Sequence, residues 1–154
     1  MYLCYKDIKF NSMLDYLKYW RVIRYFIKSK YGLSQADLDI LLFLRSEKYF
    51  DKNDFDEFNE LVSWDKNRFE NLREQGWIES FRKRKGNRRA IYQLSYKAQR
   101  VITSIYKKLE GQEIPESASS NPLFLKNVSY NDKVYRNYIK KLNKSIRQQQ
   151  HPSQ

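Results

Sequence analysis

Six of the eight residues in Arg82-Lys83-Arg84-Lys85-Gly86-Asn87-Arg88-Arg89 are basic. Positive charge packed this densely on one loop repels itself unless an anion neutralises it, so the run points to contact with a polyanion such as a phosphate backbone. A second group lies earlier in the chain, at Lys66, Asn67, Arg68 and Asn71. Asparagine can pair with adenine and arginine with guanine through two atoms each, so Asn67, Arg68 and Asn71 are of the type that reads base edges in a major groove, while Lys66 suits a phosphate. The plainer reading of the first group is a solvated hairpin tip, and of the second the wet face of an amphipathic helix.

Catalytic chemistry finds less to work with. There is no Cys/His or Ser/His pair and no glycine-rich phosphate loop, and the carboxylates Asp51, Asp54, Asp56 and Glu57 read as a solvated acidic helix face rather than a two-metal centre. No enzymatic activity is expected. The one cysteine, Cys4, cannot form an internal disulfide, and the one histidine, His151, sits in a polar tail, so no Cys/His zinc site, metal or cofactor is expected. The default reading of Cys4 is an inert thiol, because redox sensing needs an ionised and accessible sulfur.

The elements that must position these groups follow from composition and periodicity. A chain of 154 residues that is 41% hydrophobic and 16% aromatic can bury its own core. No apolar run is long enough for a membrane span, and Met1 to Phe10 lacks the apolar stretch of a signal peptide, so a cytoplasmic protein is expected. Four glycines and three prolines are too few turns for an all-β fold, which leaves a mainly helical one. The net charge of +12 is clustered: residues 1–32 carry +5, 33–62 carry −5, 82–110 carry +9 and 121–154 carry +6.

Asn11 or Ser12 can cap a helix through Met13, Leu17, Trp20, Ile23 and Ile27 that stops at Gly32. Ser34 caps a second, with Leu38, Leu41, Leu42 and Leu44 inward, ending near Lys48. An acidic third helix is predicted over about 54–61, and a fourth from a Ser63 cap to Gln75, with Trp64, Phe69 and Leu72 inward and Gly76 closing it. From Trp77 to Leu94 the pattern is extended, giving a hairpin whose basic tip lies at Gly86-Asn87. Ser95 caps a fifth helix with Ala98, Val101, Ile102, Ile105 and Leu109 inward. Residues 112–122 read as a linker from their prolines and serines, and a last helix is predicted over about 131–147 before a fraying tail.

Helix, helix, turn, helix, two-stranded wing, helix is the order of a winged helix-turn-helix, so the fold class is mainly α (α+β) with N- and C-terminal helices added. Leu33-Ser34-Gln35, Gly76-Trp77-Ile78, the basic wing and Tyr92-Gln93-Leu94-Ser95-Tyr96-Lys97-Ala98 resemble the MarR family over about residues 12–110. Lys97-Ala98 and the acidic third helix depart from that family's pattern. The resemblance implies a homodimer built from the terminal helices, a wing in each minor groove, and control by release on binding a small-molecule effector or on oxidation. A peroxide-sensing branch of the family uses an N-terminal cysteine in a setting similar to that of Cys4.

The predicted organisation is a dimerisation helix region over 1–32, a winged helix-turn-helix over 33–110, a linker over 111–127 and a basic amphipathic helix and tail over 128–154. The expected function is sequence-specific binding of double-stranded DNA in transcriptional regulation. Lys66, Asn67, Arg68 and Asn71 then lie in the major groove, and Arg82, Lys83, Arg84, Lys85, Arg88 and Arg89 on phosphate or the minor groove. The apolar surface of the terminal helices also predicts a homodimer. Two other readings stay open: a sequence-blind nucleic-acid binder, and a winged-helix protein-interaction module docking through the acidic helix.

Overall fold

The computed structural model describes residues 16–150, so Cys4, His151, Met13 and the expected cap at Asn11 or Ser12 lie outside the described residues. The chain forms two compact units, one of Leu33–Ser104 and one that joins the residues up to Gly32 with those from Ile105 onward.

Helix α1 is Tyr16–Tyr31, α2 is Gln35–Ser46, α3 is Lys52–Val62, α4 is Arg68–Glu74, β1 is Ile78–Arg82, β2 is Ile91–Leu94, α5 is Tyr96–Leu109 and α6 is Tyr130–Gln150. The order is that of a winged helix, mainly helical with one small antiparallel sheet.

In the central unit the Ser34 hydroxyl accepts from the Asp37 N–H at 3.1 Å, and the helix it caps, α2, buries Leu38, Ile40, Leu41 and Leu44. Leu42, predicted inward, is half-buried, and Ile40 takes the deeper position. Helix α3 begins at Lys52, earlier than predicted, because Asp51 and Asp54 form a reciprocal capping box: each carboxylate accepts from the other's N–H, at 2.9 and 3.0 Å. That box and a contact with Arg89 hold the Asp51 carboxyl below the usual carboxylate range.

Helix α4 is shorter than predicted. It starts after Asn67 rather than at a Ser63 cap, and Trp64, expected inward, is exposed in the preceding turn. Gly76 ends it with φ of +81°, as the Trp77 N–H reaches back to the Leu72 carbonyl at 2.9 Å. Phe55, Phe69 and Tyr92 meet edge to face, with centroids 5.0 and 4.9 Å apart, and so bind α3, α4 and β2 into one core. Phe50 exchanges both backbone hydrogen bonds with Tyr92, adding one residue of pairing to the outer side of β2.

In the terminal unit α1 buries Val22, Ile23, Phe26 and Ile27, whereas Leu17 is exposed. Tyr25 stacks on Tyr135 at 3.7 Å and donates to Asp132 at 2.6 Å. Residues 112–125, which overlap the predicted linker, are instead strapped down: Asn143 of α6 is fully buried and pairs with both the N–H and the carbonyl of Ile114, at 2.9 and 2.7 Å. Asn121 accepts from the Leu123 N–H, donates to the Pro115 carbonyl and caps the short 3₁₀ turn Pro122–Phe124. Proline and serine content signals loss of regular structure, and here that irregular chain is satisfied by buried side-chain amides. No helix among the described residues is long and apolar enough to cross a membrane.

Candidate nucleic-acid interface

Strands β1 and β2 pair antiparallel from Ile78 opposite Leu94 to Arg82 opposite Ile91. The register slips between Ser80 and Arg82, leaving Phe81 on a bulge that leans it onto Tyr49, with ring centroids 4.3 Å apart. Beyond the strands Lys85 and Arg88 exchange backbone bonds at 3.2 and 3.0 Å around Gly86-Asn87. Gly86 takes φ of +61° and no non-glycine residue among those described has positive φ, the pattern of a type II′ turn with glycine first. The tip therefore lies where the sequence predicts it.

All eight residues from Arg82 to Arg89 are exposed. Arg82 donates to the Arg89 carbonyl at 3.3 Å, and Arg89 reaches Asp51 at 3.3 Å, which ties the base of the wing to the start of α3. The side chains of Lys83, Arg84, Lys85 and Arg88 make no hydrogen bond or ion pair among the described residues. Arg84 and Arg89 also line an open cleft of about 490 Å³ with Asp51, Lys52, Asn53 and Tyr92.

The second predicted group divides. Lys66, Asn67 and Asn71 are exposed around the start of α4, and the Asn67 side chain does not cap the helix. Arg68 does not join them, and its assignment as a base reader is corrected: the residue is only 7% exposed and its donors are spent inside the unit. Its Nε donates to Asp37 at 3.0 Å, Nη1 to Asn59 and the Ser63 carbonyl, and Nη2 to the Ser63 hydroxyl at 3.3 Å. Buried Asn59 in turn donates to the Asp65 carbonyl at 2.9 Å, and the Asp65 carboxylate accepts from the Asn67 N–H at 2.9 Å. This network fixes the turn between α3 and α4 to α2, and it explains why Ser63 does not serve as the helix cap.

Sequence reasoning misses Asn59, Asp37 and Asp51 as positioning groups. One signal for Asn59 is its position four residues after Phe55, on the face that α3 buries. On the solvent side of α4, Arg73 pairs with Glu70 at 3.3 Å and lies over the Tyr92 ring at 5.4 Å. Among the described residues no group of three or more histidines, cysteines or carboxylates could hold a metal ion.

No protein-family model matches the sequence, and no curated protein matches it. Among solved structures, the chain is similar to one described as the structure of disulfide-formed AbfR, with a TM-score of 0.43 and 15% identity, over 86% of this chain and 84% of that one.

Proposed function

We propose that the protein binds double-stranded DNA through its wing and the start of α4 and acts as a transcriptional regulator of MarR-like type. The observation that carries this reading is the wing itself: six basic side chains, all exposed, four of them without a partner among the described residues, on a hairpin tip held by a tight turn. Such a tip is suited to phosphate or the minor groove through Arg82, Lys83, Arg84, Lys85, Arg88 and Arg89. Lys66, Asn67 and Asn71 are the groups available to a major groove, with Arg68 holding the turn that presents them.

The test is selection of binding sites from random duplex DNA at near-physiological salt. Enrichment of one defined sequence supports the reading. Tight but sequence-blind binding selects a nonspecific binder, and no binding even at low salt rejects DNA as the partner. One observation favours the sequence-blind alternative: with Arg68 buried, α4 offers fewer base-reading groups than its sequence suggests.

We further propose a homodimer, because a two-fold pair presents two wings to successive turns of DNA. Sedimentation is expected to give twice the chain mass at micromolar concentration; a stable monomer with and without DNA rejects it.

A further inference from the structure

The strongest charge contrast in the chain lies inside the central unit. Residues 33–62 carry −5 in a protein of +12, and they include α2 and α3. On these two helices Phe43 and Phe58 stack in near-parallel planes, with centroids 5.4 Å apart. Phe43 is 41% exposed, and Leu61, three residues beyond Phe58 on the same flank of α3, is 72% exposed. Glu47 is the C-cap that ends α2 just beyond Phe43, helical spacing places Glu57 one turn from Leu61 on α3, and both carboxylates are exposed. Water thus meets an aromatic stack and a leucine with acids at the edge, the arrangement of a binding face rather than of scattered apolar residues.

The chemistry of the occupant follows from the rim. DNA is excluded, since carboxylates repel phosphate. A partner must bring apolar side chains for the stack and cations for the acids. The chain's own basic helix α6 does not qualify, because Ile139, Leu142 and Ile146, its apolar stripe, are already buried in the terminal unit. We infer that the face formed by Phe43, Phe58 and Leu61 docks a basic amphipathic helix from another protein, with Glu47 and Glu57 pairing to its flanking lysines or arginines. This surface is separate from the groups assigned to DNA, and its failure leaves that assignment standing.

The experiment is fluorescence anisotropy with a labelled leucine-lysine peptide of about 18 residues, five helical turns, amphipathic by design. A peptide of the same composition, scrambled to destroy the apolar face, is the control. Binding of the amphipathic peptide alone is expected. The double variant Phe43→Ser/Leu61→Ser and the charge reversal Glu47→Lys/Glu57→Lys are each expected to weaken it by about tenfold or more, because they remove the centre and the rim of the face respectively. Both pairs are surface positions, and an unchanged thermal melt confirms that the fold survives. Affinity for DNA is expected to stay the same in the Phe43→Ser/Leu61→Ser variant. Equal binding of the scrambled peptide, no binding of either, or variants that bind like the parent overturns the inference. So does self-association of the parent that Phe43→Ser/Leu61→Ser abolishes, since the face is then covered by a second copy.

Discussion

The wing and helix α4 both carry the residue types of nucleic-acid contact, yet they spend them in opposite ways. In the wing the side chains of Lys83, Arg84, Lys85 and Arg88 are exposed and the turn is closed by backbone hydrogen bonds alone, so the cations are left for an external anion. At α4 the arginine is turned inward, and its guanidinium joins α2, α3 and the intervening turn through Asp37, Asn59 and Ser63. A basic residue among polar side chains of base-reading type can thus be part of the scaffold. Exposure and the fate of each N–H decide which, because a planar fork of five donors fits a buried polar turn as well as a guanine.

The contrast is sharpest at Arg68. Arg68→Ala strands Asp37 and Asn59 without their donor, and urea unfolding is expected to show a deficit of about 3 kcal/mol. Arg68→Lys, which keeps the charge but not the fork, is expected to fall between. Unchanged stability together with a vanished base preference returns Arg68 to the role its sequence position suggests.

Next in size is the exposed remainder of the α4 group. Asn67→Ala or Asn71→Ala is expected to cost about 1 to 3 kcal/mol on a selected duplex while leaving a scrambled one almost untouched, as competition binding measures. Equal weakening on both duplexes shows that the helix touches backbone only. For the wing the expected pattern is the reverse: Arg84→Ala with Arg88→Ala weakens every duplex alike. The plot of log affinity against log salt becomes shallower by about 0.9 for each phosphate that is no longer neutralised, because fewer counterions are released. A change in preferred sequence at constant slope contradicts that division of labour.

The smallest effect serves as a control outside both regions. The hydrogen bond to the Asp132 carboxylate, with burial second, pushes the Tyr25 phenol up from 10.0 to about 12. A raised folded-state value means that the contribution is complete below about pH 10 and disappears as pH climbs through about 12. Tyr25→Phe is therefore expected to cost about 1 kcal/mol at neutral pH, a deficit that closes in alkaline melts, with DNA binding unaltered. A deficit that persists undiminished at high pH shows that the hydrogen bond is not its origin.

Legibility in the sequence divides along the same line. The wing is legible because its determinants are local: alternating apolar residues, a Gly-Asn tip and a run of cations need no knowledge of the rest of the chain. The fold order is legible for similar reasons, through Ser34, Gly76 and Ser95 at helix ends. The start of α4 is not. Ser63 followed by Phe69 and Leu72 at helical spacing fits a longer helix, and only contact with Asp37, far away in sequence, reveals that Arg68 claims both oxygens of Ser63. The strap over 112–125 is hidden in the same manner, since Asn143 looks like any polar residue on a helix until Ile114 is placed beside it.

The pairing of Asn143 with Ile114 turns on a single atom of the side chain. The asparagine offers one acceptor and one donor in the fashion of a neighbouring peptide group, so a side chain stands in for a single residue of β-strand. The substitution Asn143→Asp swaps that NH₂ for an oxygen of nearly identical size. The resulting carboxylate faces the Ile114 carbonyl and the Glu116 carboxylate, which now accepts from that NH₂ at 3.2 Å, so one atom's replacement turns two attractions into two repulsions. The joint that holds residues 112–125 down thus admits an amide at position 143 and rejects the acid of the same shape.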